Sequence, residues 1–179
     1  MNIIITIAII IVLIIITFLL VIFMPKPICY FDISNTYKEL KNFQDEEYFI
    51  NIQKELLSNN EKKEYKDNIE LIFNNGKMYI NQFDIPNTCK LLYTLPNIHN
   101  AFVAKINKKT RFPKRKGCST FANKTIRCFL PLKIPAAKKS GIWTDGEIKL
   151  FQEKEWVIYD DSRENQVFNK HKSRDSYLL

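Results

Sequence analysis

The chain has 179 residues, of which 46% are hydrophobic, and a formal charge of +8 from 27 Lys and Arg against 19 Asp and Glu. This length suits one domain with a full-sized core and needs no second one. The basic balance admits an acidic partner such as phospholipid, another polyanion or nucleic acid, although scattered surface lysines account for much of it.

Ile3 to Met24 is an apolar run relieved only by Thr6 and Thr17, about the length that crosses a bilayer as a helix. A retained transmembrane anchor is expected over 3–24. A cleaved signal peptide would have an apolar region about half as long, ending in small residues, whereas this run ends in the bulky VIFMPKP. A linker is expected over 25–34. Only Met1 and Asn2 precede the run, and Lys26, Lys38 and Lys41 follow it, so the positive-inside rule taken literally puts the domain in the cytoplasm.

From residue 35 the pattern turns helical. NTYKELKNFQDEEYFINIQKELL sets Tyr37, Leu40, Phe43, Phe49, Ile52, Leu56 and Leu57 at roughly helical intervals, with Asn35 or Thr36 available as a cap. One or two amphipathic helices are expected, their apolar stripe packed as core on the outside of a sheet. SNNEKKEYKDN reads as a solvated loop, IELIFNNGKMYINQFD as a hairpin turning at Asn75 and Gly76, and IPNTCKLLYTL as a short helix. From Pro96 onward, NAFVAKI, KTIRCFLPLKIP, GIWTDGEIKLF, EWVIYDD, NQVFN and SYLL are short apolar or alternating runs divided by turn residues. They describe an antiparallel sandwich or barrel. The expected division of the domain at 35–179 is a helical part over about 35–95 and a β part over about 97–179.

The order of these pieces resembles the aspartyl/asparaginyl beta-hydroxylases from about Phe43 to Leu179. The likeness is carried by the helix ending IQKELL, by IPNTCKLLYTLPNIHNAFVAKI, by the FPKRKG turn, by IRCFLPLKIP, and by WVIYDDSRENQVFN with a late arginine. It implies a mainly β fold with N-terminal helices: a double-stranded beta-helix, jelly-roll or cupin-like, using Fe(II) and 2-oxoglutarate in active members. It also implies iron-binding histidines two residues before the glycine of the turn and just after the acidic turn. This chain has Arg115 and Asn165 at those places. A guanidinium cannot offer a lone pair, and an amide oxygen is a poor substitute for imidazole. No metal, no cofactor and no catalytic residue are therefore expected.

The resemblance matches Arg127 with an arginine on the strand after the first histidine, and Arg174 with the arginine that pairs with the 2-oxoglutarate carboxylate. Arginine suits a planar carboxylate because its donors form a fork. Phe129 stands where the family often has a histidine. Two uses of these arginines stay open: residual carboxylate or anion binding, or an ion pair with Asp160, Asp161 or Glu164 that holds the barrel closed. The histidines, His99 and His171, fall outside the ligand positions. Asp145, Asp160, Asp161 and Glu164 lack the alternating oxygen run of a calcium loop, and Asp160 and Asp161 are expected to cap a turn through side-chain to backbone hydrogen bonds.

A second feature is KINKKTRFPKRKG, which crowds Lys105, Lys108, Lys109, Arg111, Lys114, Arg115 and Lys116 into one hairpin-like segment. Cations so close must be solvated or meet an anion, such as lipid headgroups or another polyanion. Cys29, Cys89, Cys118 and Cys128 show neither zinc nor redox C-x-x-C spacing. Their even number permits two disulfides on an oxidising face, with four buried free thiols as the alternative, and Asn123-Lys124-Thr125 is a glycosylation sequon.

The expected function is that of a membrane-anchored, catalytically inactive hydroxylase-like protein, an interaction or structural module whose partner is another protein. Its build would suit a large DNA virus that reused a captured enzyme fold. An active dioxygenase with carboxylate ligands from DDSRE, and a polyanion-binding protein acting through Lys105 to Lys116, are the alternatives; nucleic acid is not the expected partner. Family habit, the cysteines and the sequon outweigh the three lysines, so the domain is expected on the lumenal or external face.

Overall fold

The computed structural model describes residues 3–23, 30–31, 40, 45–61, 69–117, 126–135 and 139–179. The fold is mainly β with a few helices. The first helix, α1 (Ile3–Phe23), is 21 residues long and carries no charge. Its described side chains, Ile9 to Leu20, are all exposed, Phe18 at 65%. Within the described residues no helix is long and apolar enough to cross a membrane.

Helix α2 (Glu46–Glu61) begins with Asp45, whose carboxylate accepts from the Glu47 amide at 3.0 Å. It buries Phe49, Ile52 and Leu56, one stripe at helical spacing, as the sequence predicts. Helix α3 (Pro86–Thr94) has proline at its first turn, where no amide partner is needed, and no side-chain cap of its own. Glu55 of α2 supplies that cap from outside. Its two carboxylate oxygens accept from the amide and side chain of both Asn87 and Thr88, at 2.7 to 2.9 Å.

The strands form three antiparallel sheets. The largest contains β3 (Lys77–Met78), β2 (Ile69–Asn74), β4 (Asn100–Ile106), β12 (Ser176–Leu178) and β7 (Pro131–Lys133), in that order. The turn between β2 and β3 is the expected Asn75-Gly76, both residues with positive φ, as the tight hairpin requires. The second sheet is β5 (Thr110–Arg111), β11 (Asn165–Asn169), β8 (Ser140–Thr144) and β9 (Glu147–Leu150). The third is β1 (Tyr30–Phe31), β10 (Val157–Asp160) and β6 (Ile126–Phe129).

Two apolar cores result. Phe49, Ile52 and Leu56 of α2 and Leu91 and Leu92 of α3 pack on Ile72, Val103 and Leu132 of the largest sheet and on Leu130 just ahead of β7, so α2 and α3 lie on the outside of one sheet, as expected. Each such side chain contributes roughly 1.5–3 kcal/mol. The second core gathers Ile106, Ile142, Phe151, Val157, Tyr159, Val167 and Leu178 between the sheets. Strands are not confined to 97–179: β2 and β3 pair within the expected helical part, and Tyr30 and Phe31 of the expected linker form β1 against Tyr159 and Ile158. Tyr37, Phe43, Cys29, Cys118 and the Asn123 sequon lie outside the described residues.

Candidate functional site

The site is built where the second and third sheets face each other at one end. Thr144 and Asn165 are register partners in β8 and β11, directly beyond the core pair Ile142 and Val167 on the same inward face. Tyr159 on β10 is the partner of both Arg127 on β6 and Tyr30 on β1, which puts these three side chains on one face of the third sheet. Tyr30 reaches across, its hydroxyl donating to the Ile142 carbonyl at 3.1 Å.

Arg115 and Asn165 stand opposite each other. They form an isolated antiparallel bridge, each amide donating to the other's carbonyl at 2.9 and 2.7 Å. Asn165 is wholly buried, and its side-chain amide donates to Asp161 Oδ1 at 3.3 Å and to the Arg163 carbonyl at 3.1 Å. Asp161, 4% exposed, pairs with Arg127 Nη2 at 2.8 Å. Its carbonyl accepts from the Gly117 amide at 2.7 Å, and a Cβ on Gly117 would come within 2.6 Å of the Asp161 carboxylate. Glycine is required there by close approach.

Asp160 does what the turn chemistry predicts: its carboxylate accepts from the Ser162 amide at 2.9 Å and faces Arg163 Nε at 3.5 Å. Burial alone would raise its pKa, but the bonds from Ser162 and the Arg163 charge outweigh burial and hold it below the ordinary carboxylate value. Asp161 takes the other route, an ion pair with Arg127 on the neighbouring strand and a bond from Asn165 of the second sheet. Burial pushes the Tyr159 phenol strongly upward, against the opposing pull of Arg127 and, further down, Arg115.

Three buried polar atoms have no hydrogen-bond partner here among the described residues: Tyr159 OH, Thr144 Oγ1 and Asn165 Oδ1. Left unsatisfied, each costs about 1–3 kcal/mol. The sequence reading missed Tyr159, Thr144 and Tyr30. The spacing of Tyr159 two residues before Asp161 was the available signal, since alternate strand residues share a face.

Other candidates scatter. Arg174 is exposed; its amide donates to His171 Nδ1 at 3.0 Å, and its carbonyl accepts from Asn169 at the far end of β11 from Asn165. No described contact joins Arg174 to Arg127, so the structure does not assemble the expected arginine pair. The basic segment is likewise strung out. Lys105 pairs with Asp175 at 3.2 Å, and the Lys108 amide donates to the same carboxylate. Lys109 turns with positive φ beside His171, while Arg111 lies in β5 opposite Phe168. Lys114 pairs with Glu164 at 3.1 Å and lies 4.0 Å over the Trp143 ring. Lys114, Arg115 and Lys116 are the members at the site end, where Arg163 spans Asp160 and Asp145.

A family model described as aspartyl/asparaginyl beta-hydroxylase matches residues 30–179. The chain belongs to the aspartyl/asparaginyl beta-hydroxylase family. A search of curated proteins gave no match. The hydroxylase resemblance implies an iron centre, and the residues present do not fit one. Among the described residues no three His, Cys, Asp or Glu side chains gather to hold a metal ion. The facing positions carry a guanidinium and an amide, and Asp161, the carboxylate that meets this amide, is occupied by Arg127.

Proposed function

We propose that this chain is a membrane-anchored, catalytically inactive member of the hydroxylase family whose double-stranded beta-helix serves as an interaction module. The observation that carries the reading is the Arg115–Asn165 bridge, with the Asp161 carboxylate held by the Asn165 side chain and by Arg127. A cation and an amide close the place where a metal would need lone pairs. Reading DDSRE as a substitute ligand set meets the same obstacle, because Asp160 and Asp161 are both committed to arginines.

The anchor reading rests on α1, apolar on every side over 21 residues. At about 1.5 Å per residue it is roughly as long as the hydrocarbon core is thick, and a helix apolar all round is stable only when buried in protein or lipid. The lumenal or external placement remains part of this proposal. Metal analysis of the full chain purified with iron supplied, together with succinate release from 2-oxoglutarate, tests inactivity. About one iron per chain, or turnover above background, would overturn it.

Polyanion binding is a second reading, favoured by one arrangement that the sequence did not group. Lys108 and Lys109, Lys139, and Lys170, Lys172 and Arg174 come from three segments whose backbones are joined by the Lys109–His171 and Lys170–Lys139 bonds. Asp175 is the carboxylate in contact with this end. Binding of heparin that weakens steeply as salt rises, and weakens further in Lys172→Gln, is the expected result if this end is used.

A further inference from the structure

The strand at the end of a sheet presents backbone donors and acceptors that another chain can pair with unless something covers them. At β7 the largest sheet supplies its own cover. The Gln53 side chain donates to the Leu132 carbonyl, the Lys154 amide donates to the Pro131 carbonyl, and the Ile134 amide donates to Glu153. The second sheet ends at β9, four residues long and without such cover. Asp145 and Gly146, both with positive φ, close a tight hairpin between β8 and β9, so the backbone groups of Glu147 and Lys149 turn toward β8 and those of Ile148 and Leu150 turn away. The Phe151 amide, bonded to the Ser140 carbonyl, continues this alternation. Among the described residues no hydrogen bond reaches the outward amides and carbonyls of Ile148 and Leu150.

The side chains of β9 complement a copy of themselves. Ile148 stands on the outer face of the sheet, 58% exposed, beside its register partner Trp143. Glu147 and Lys149 stand on the opposite face, both exposed and without an ion pair among the described residues. When two β9 strands are set antiparallel about a two-fold axis at Ile148, the two Ile148 residues exchange their free amide and carbonyl bonds, and each Glu147 comes opposite Lys149 of the other copy. Opposite charges facing across antiparallel strands are favourable. The two sheets then become one, with Trp143, Ile148 and their counterparts forming an apolar row across the outer face. Centring the pair on Lys149 instead would oppose two ammonium groups, which is unfavourable.

We propose that β9 is a self-association edge, on which a second copy of this chain adds its own β9 antiparallel with the axis at Ile148. The pairing depends on neither the membrane anchor nor the loss of iron. An edge of four residues buries less than a standard interface, so the dimer is a weak one. The test is sedimentation of the full chain in density-matched detergent, with hydrogen exchange of the β9 amides. The weight-average mass is expected to rise with concentration from monomer toward dimer, and exchange at Ile148 to slow with it. Glu147→Lys and Lys149→Glu each turn two attractive pairs into repulsive ones and should weaken the dimer by about tenfold or more. The double swap restores attraction in this register and should restore the dimer, whereas in the register centred on Lys149 it would oppose two carboxylates. Both side chains are exposed, so an unchanged melting temperature is expected in the swaps. Where a swap lowers it, Ile148→Lys, which opposes two ammonium groups at the axis, decides in its place by abolishing the dimer or leaving it. A dimer that survives both single swaps is joined elsewhere, α1 included, and overturns the proposal. A dimer lost in the single swaps and not regained in the double swap overturns the register. A chain that stays monomeric at its highest soluble concentration overturns the pairing, and slow exchange at Ile148 in that monomer assigns the edge to another stretch of the same chain.

Discussion

Asp161 holds the site together. Its carboxylate meets Arg127 and Asn165 while its carbonyl takes the Gly117 amide. Asp161→Ala removes the acceptor of a partly exposed guanidinium and one of the two acceptors of the buried Asn165 amide, and is expected to cost about 2–3 kcal/mol, read as a lower urea midpoint at unchanged slope. Asp160 gives a different signature. Its folded pKa lies below the ordinary 3.8, so its stabilisation is fully present above that value and is lost as pH falls through the depressed one. The gap in urea midpoint between the wild type and Asp160→Asn should therefore be constant from pH 7 to about 5 and shrink below about 4. Cys89 and Cys128 are both free thiols. Burial pushes Cys128 up to about 11, which leaves little thiolate near neutrality, and alkylation of the native protein at pH 7.5 should spare it until denaturant is added.

At the scale of elements, local chemistry was legible wherever neighbours in sequence do the work. The Asn75-Gly76 turn, the proline start of α3 and the stripe of α2 follow from backbone preference and periodicity. What could not be read was any partner chosen across the chain. Nothing in IQKELL announces that Glu55 caps another helix, because the donors lie 32 and 33 residues away. Glu55→Ala strips four hydrogen bonds from the first turn of α3. It should cost about 2–3 kcal/mol and raise hydrogen exchange in α3 before that of β10 and β11. The two residues of β1 were hidden for the same reason: a strand so short has no period, and its place is set by β10.

For the whole molecule, the candidate site was half legible. Arg115 and Asn165 face each other in an isolated bridge, and Arg127 pairs with Asp161. Arg174 was not foreseeable, since β11 carries the chain about 13 Å along its axis between Asn165 and Asn169 at the strand rise and delivers the loop to the opposite end. The cysteines bear on location. With Cys89 and Cys128 unpaired, no more than two thiols are left to oxidise within the chain. Protein from its native membrane, denatured without reductant, should then label two thiols if the domain faces an oxidising compartment and four if it faces the cytoplasm. A count of two that becomes four after reduction supports the lumenal or external assignment.

The two-residue strand β1 has a mechanical side. A tug on the chain ahead of Tyr30, directed along the strand, loads its bonds to β10 in shear, all at once and not one after another. The Tyr30 hydroxyl, fixed to the Ile142 carbonyl on the facing sheet, carries part of the same tension across the site. Traction on the chain ahead of Tyr30 thus reaches Tyr159 and its neighbours before it reaches α2 and α3, and would be felt first as a change in the shape of the site.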